Sequence, residues 1–92
     1  MSFGEVERAI NSLDCINNAI CFYDNEKDKI VCAYAGTEDQ GIIIEQLQKI
    51  IPKYMLPNIF VFKDVLTLNA NGKIDRVKIK EEYYKTNARS SN

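Results

Sequence analysis

The sequence predicts a small α+β domain, a three-stranded and mainly antiparallel sheet packed with helices in the order α-β-β-α-β-α. Three observations predict it. Apolar residues recur at helical spacing near the start of the chain and again in its middle. Two apolar runs flank the polar tetrapeptide "NEKD" as the arms of an antiparallel hairpin would. A third run, "NIFVFKDV", is rich in the aromatic and β-branched residues that favour strands. The chain has 92 residues, enough for one domain near the lower end of what holds a core unaided.

The elements follow in order. Val6, Ala9, Ile10 and Leu13 fall at i, i+3, i+4 and i+7, one stripe of a helix. Ser2 is its candidate N-cap, with Glu5 completing a capping box. "CINNAICFYD" reads as a strand entered from an Asn-Asn break, and "KIVCAYAG" as its hairpin partner. Both strands are apolar on either face, which calls for helices covering at least one side. Gly36 closes the second strand, and Thr37 with Gln40 offers a capping box for the next helix. Ile43, Ile44, Leu47, Ile50 and Ile51 form its stripe, with Leu47 and Ile51 expected in the core, and Pro52 ends it. "IPKYMLP" is a short connector pinned by two prolines, and "NANG" a turn after the third strand. A last helix starts from Asp75 as N-cap, with Val77, Ile79 and Tyr83 as apolar contributors. Residues 1–84 make the domain; 85–92, polar and small, read as a flexible tail.

Composition narrows the function. A net charge of −1, from 12 basic and 13 acidic side chains, argues against a general polyanion binder and so against nucleic acid as partner. No apolar run is long enough for a membrane span, and the start lacks a secretory pattern, so a cytoplasmic location is expected. Histidine is absent, and Cys15, Cys21 and Cys32 show no C-x-x-C spacing, so no metal site is expected. Cys21 and Cys32 lie within apolar alternation and read as small buried hydrophobes.

The stretch "LNANGKIDR" at 68–76 carries the chemistry. Asn71-Gly72 is a turn dipeptide, since both residues tolerate positive φ. Lys73 directly after it is either a solvated surface charge or a cation placed to meet an anion. A P-loop does not fit: no glycine stands five residues before Gly72, and Ile74 replaces the Ser or Thr that would hold magnesium.

"IPKYMLP" at 51–57 followed by "LNANGKIDR" resembles two successive signatures of the adenylate-forming, AMP-binding enzymes, in the C-terminal subdomain of their amino-acid-activating branch. "FGEVERAI" at 3–10 looks like the segment just beyond that family's interdomain hinge. The resemblance spans almost the whole chain and implies a small α+β lid over an active site on a larger N-terminal adenylation domain. It implies that Lys73 is catalytic, with Asn71 and Gly72 setting the turn and Asp75 and Arg76 capping and orienting the following helix. It also implies a second face for thioester formation, around Ser2, Phe3 and Gly4, where a pantetheine arm of a phosphopantetheinyl carrier protein would pass. Gly4 is equally well read as a plain helix-entry residue. ATP with Mg2+ would be a substrate of the complete enzyme, bound mainly by the N-terminal domain, with no intrinsic cofactor in this chain. The family often has Pro at the positions of Thr67 and Ala70 and Thr where Asn69 stands; these departures bear on turn rigidity. "NGKIDR" looks more like the peptide-synthetase and D-alanine–carrier-protein ligase branch than the acyl-CoA synthetases. Because the hinge residue is not in this sequence, a fragment, a separately encoded lid or a decayed copy is implied. Two other readings stand beside it: a non-catalytic α+β interaction module, such as an RNA binder using "IFVF" for stacking, and a degenerate structural lid.

Overall fold

The structure, a computed structural model, describes residues 3–37 and 39–90, with side-chain surroundings through residue 86. The elements are α1 (Phe3–Asn11), β1 (Ile16–Asp24), β2 (Lys29–Gly36), α2 (Gln40–Leu47), a single 3-10 turn (Lys53–Met55), β3 (Ile59–Phe62) and α3 (Arg76–Ser90). The order α-β-β-α-β-α is the expected one, and the fold is α+β. β1 and β2 form the antiparallel hairpin, with Cys21 opposite Cys32 and Asp24 opposite Lys29. β3 adds to the far side of β2 in parallel, which makes the sheet mixed. The Asn-Asn break is an irregularity inside β1, between Ile16 and Asn18.

Strand alternation sends two sets of side chains to opposite faces. Ala19, Cys21, Cys32 and Tyr34 join Val6, Ala9, Ile10 and Leu13 of the α1 region and Ile43 and Leu47 of α2. Ile20, Phe22, Val31, Ala33 and Ala35 meet Leu66 and, from α3, Ile79 and Tyr83. Helices therefore cover both faces, α1 and α2 on one and α3 on the other. That is why both strands are apolar throughout.

Several local expectations are corrected. The N-cap of α2 is Asp39, whose carboxylate accepts the Ile42 N–H at 3.2 Å. Thr37 sits two residues further out, and its hydroxyl accepts the Asp39 N–H. An anionic oxygen directly before the first helical turn satisfies a free N–H and suits the helix dipole. Ile43 and Leu47 are fully buried, but α2 ends at Leu47, so Ile50 leaves the stripe and is 52% exposed. Ile51 is half-buried against the α1–α2 core. On α3, Ile79 and Tyr83 are core, whereas Val77, in the first turn, is 69% exposed. α3 continues to Ser90, across residues 85–90 of the expected tail. The proposed cap Ser2 lies outside the described residues.

The edges of the sheet are β1 and β3, and the β1 edge is the one partnered by side chains. The backbone N–H and C=O of Ala19 both point away from β2, and the Asn11 carboxamide takes both, at 2.9 and 3.0 Å. Two residues pairs along, the outward Tyr23 carbonyl accepts the Tyr84 hydroxyl at 3.3 Å. Gly36 ends β2 where the chain crosses close to β1. Its φ is +150°, and an added Cβ would strike the Cys15 carbonyl oxygen.

Candidate functional site

The chain after β3 makes a tight excursion that ends in α3. Leu68 and Ile74 face each other as an antiparallel bridge, and the Asp75 N–H reaches the Thr67 carbonyl at 2.8 Å. These contacts close the stem of the turn. Its base is fixed by packing, because Leu66 is buried beneath α3 and Ile74 leans on the same cluster.

Asn69 organises the tip. Its backbone N–H donates to the Lys73 carbonyl at 2.7 Å, and its carbonyl accepts the Gly72 N–H at 3.0 Å. Its side-chain oxygen accepts the N–H of Asn71 at 2.8 Å and of Lys73 at 3.1 Å. Asn71 thus enters through its backbone. Gly72 has φ +80°, while an added Cβ would meet nothing within 4 Å, so the glycine is needed for conformation and not for space. Lys73 is exposed and, among the described residues, its side chain forms no ion pair. A cation at the tip of a turn held by its neighbours can be presented to an anion on another body without unfolding anything.

Asp75 accepts the Lys78 N–H on its carboxylate at 3.0 Å, and the Ile79 N–H on its carbonyl at 3.1 Å, at the start of α3. Arg76 forms a two-pronged pair with Glu7 of α1, at 2.6 and 2.8 Å. The Glu7 carboxylate raises the Arg76 guanidinium above its ordinary value, with partial burial opposing. Because α1 and α3 lie on opposite faces, this pair spans the β1 edge and ties the turn to α1. Phe3 and Gly4 stand about one turn earlier on α1 than Glu7. Phe3 is half-buried, its ring 6.4 Å from that of Tyr23, and Gly4 is exposed. Ser2 lies outside the described residues.

The residues singled out in the sequence fall into two groups. Asn71, Gly72, Lys73, Asp75 and Arg76 share one turn and helix start, and Phe3 and Gly4 lie on α1, joined to the first group through Glu7. Sequence reasoning named Asn69 only as a departure bearing on turn rigidity, and passed over Glu7. Asn69 carries a local signal, since an Asn side chain bonding the N–H two residues on is a common turn device. Glu7 has none, as its partner is 69 residues away. "IFVF" is not an exposed stacking platform: Phe60 and Phe62 pack edge-on to the buried Tyr34, while Ile59 and Val61 pack on the opposite core. Among the described residues, no cluster of three metal-ligating side chains exists, and no helix is long and apolar enough to cross a membrane.

No family model matches the chain. Curated relatives do. Gramicidin S synthase 2 of Brevibacillus brevis is 31% identical over 86 residues, covering 88% of this chain and 2% of the synthase. Tyrocidine synthase 3 of Brevibacillus parabrevis is 36% identical over 81 residues, covering 83% of this chain and 1% of that one. The chain therefore spans about one-fiftieth or less of these relatives' length. Among solved structures, Klebsiella oxytoca NpsA in complex with 3-hydroxyanthranilyl-AMSN matches with a TM-score of 0.83 over 91% of this chain and 18% of that one, at 19% identity. The four-domain nonribosomal peptide synthetase AB3403, bound to AMP and glycine, matches with a TM-score of 0.67 at 30% identity, over 84% of this chain and 6% of that one. With this element order, the Asn-Gly-Lys turn leading into α3 and these relatives, the chain belongs to the C-terminal subdomains of the adenylate-forming enzymes, in the branch of the peptide synthetases.

Proposed function

We propose that this chain is the mobile lid of an ATP-dependent amino-acid adenylating ligase and that Lys73 is its catalytic side chain. The observation that carries the reading is the exposed ammonium of Lys73 at the tip of a turn fixed by Asn69 and by the Leu68–Ile74 stem. In acyl-adenylate formation a carboxylate oxygen attacks the α-phosphorus of ATP and pyrophosphate leaves. Two anions must approach, and negative charge gathers on the transferring oxygens. A compact cation on a flexible stem offsets that repulsion and aligns the attack. ATP with Mg2+ and the amino acid would be held mainly by an N-terminal adenylation domain. A second face, around Phe3 and Gly4, would serve thioester formation on a phosphopantetheinyl carrier protein. The chain alone would form no adenylate, because it contributes a single catalytic group.

The test joins this chain to an N-terminal adenylation domain and assays the two half-reactions separately. Lys73→Ala should slow adenylate formation by about 10²–10³-fold, the loss typical of one electrostatic stabiliser. Transfer of a preformed adenylate to the thiol should be unchanged. Equal loss in both steps, or no loss in the first, overturns the assignment.

A further inference from the structure

We infer that Asn69 is a positioning residue for Lys73, an inference that rests on the catalytic reading of that lysine. Asn69 is the one residue of the turn that holds the Lys73 peptide unit from both sides. Its side-chain oxygen receives the Lys73 N–H at 3.1 Å, and its own N–H donates to the Lys73 carbonyl at 2.7 Å. The same side-chain oxygen takes the Asn71 N–H, and the backbone carbonyl takes the Gly72 N–H, so every non-proline amide from 71 to 73 closes on Asn69.

The need for such a clamp follows from the turn's composition. Gly72, at φ +80°, lowers the cost of the reversed backbone but resists rotation least of all residues. Ala70, Asn71, Gly72 and Lys73 are exposed, and no core contact stiffens the tip. Its geometry must come from hydrogen bonds, and a side-chain acceptor that collects the free amides of Asn71 and Lys73 supplies them. A lysine tolerates small errors at its tip, because its stem flexes. It does not tolerate a backbone that wanders, since misplacing a reacting group by about 1 Å can cost on the order of 10²-fold in rate. Asn69 would therefore act on the chemistry through Lys73, without touching substrate.

Two measurements test this. In the isolated chain, amide hydrogen exchange at Asn71 and Lys73 should accelerate in Asn69→Ala and stay near wild type in Asn69→Asp, which keeps the acceptor oxygen. In the chain joined to an adenylation domain, Asn69→Ala should slow adenylate formation by roughly 10- to 100-fold and leave thiol transfer and melting temperature unchanged. The double variant with Lys73→Ala should be no slower than Lys73→Ala alone, because a positioning residue has nothing left to position. A purely structural role would lower both half-reactions and the melting temperature together, and would overturn the inference. So would unchanged exchange at Lys73 in Asn69→Ala, or effects of the two substitutions that multiply. If Lys73→Ala itself spares adenylation, the catalytic reading falls; faster exchange in Asn69→Ala would then still establish the clamp.

Discussion

Asp24 has 1% of its surface exposed, yet it carries a charge. Its two oxygens divide the work. One accepts the Tyr83 hydroxyl at 2.6 Å, and the other accepts the N–H groups of Glu26 and Lys27 in the hairpin loop. The Tyr83 hydrogen bond, aided by those two amides and opposed by burial, holds the carboxyl below its ordinary value. Burial first, and the Asp24 hydrogen bond second, push the Tyr83 phenol up. A carboxyl depressed in the folded state stabilises at pH above its ordinary value of about 4, and that contribution is lost as pH falls through the folded value. Tyr83→Phe should lower the urea midpoint at neutral pH and flatten its acid decline, because less of the carboxyl's stabilisation is left to lose. A midpoint curve from pH 7 to 2 that superimposes on wild type would refute this. None of the pair was legible beforehand. Tyr83 could be placed in the core by helical spacing, but no periodicity reveals that its hydroxyl ends on a carboxylate 59 residues away. The turn before Lys73 was legible for the opposite reason: it is built from neighbours in sequence.

At the scale of elements, patterns that repeat were readable and the ends of elements were not. The β2 run and the Ile43–Leu47 spacing match the structure, because burial on both faces leaves an unbroken apolar run and burial on one helix face leaves a periodic one. The end of α2 does not follow that trace. The helix stops at Leu47, five residues before Pro52, so Ile50 is apolar without being core. These two residues make a paired prediction. Leu47→Ala should cost about 2–5 kcal/mol, as removing a fully buried leucine does. Ile50→Ala should stay within roughly 0.5 kcal/mol. Denaturant titration of both variants checks it, and similar costs at the two positions would contradict the helix end described here. β3 shows another limit. Its strand character was plain from composition, while its parallel pairing depends on the path of α2 and the connector.

For the molecule as a whole, two helical layers on opposite faces of a thin sheet need something to hold them in one frame. Arg76 and Glu7 meet that need at the β1 edge. Arg76 is 60% exposed on its side chain and Glu7 only 14%, so solvent screens the pair in part. A double-mutant cycle of Arg76→Ala and Glu7→Ala should give a coupling of about 1 kcal/mol, the upper end for surface pairs, because the contact is two-pronged. Coupling near zero would mean the two layers hold together by packing alone. The Asn11 carboxamide on the same edge has a different consequence. A bare outer strand offers a docking rail on which another chain can lay a strand of its own, the first step toward domain exchange or fibrils. Asn11 occupies the rung at Ala19 with both a donor and an acceptor, and Tyr84 covers the carbonyl at Tyr23. A strand arriving at the β1 edge would have to displace partners supplied by the same molecule, so crowding many copies together does not turn that edge into a seed.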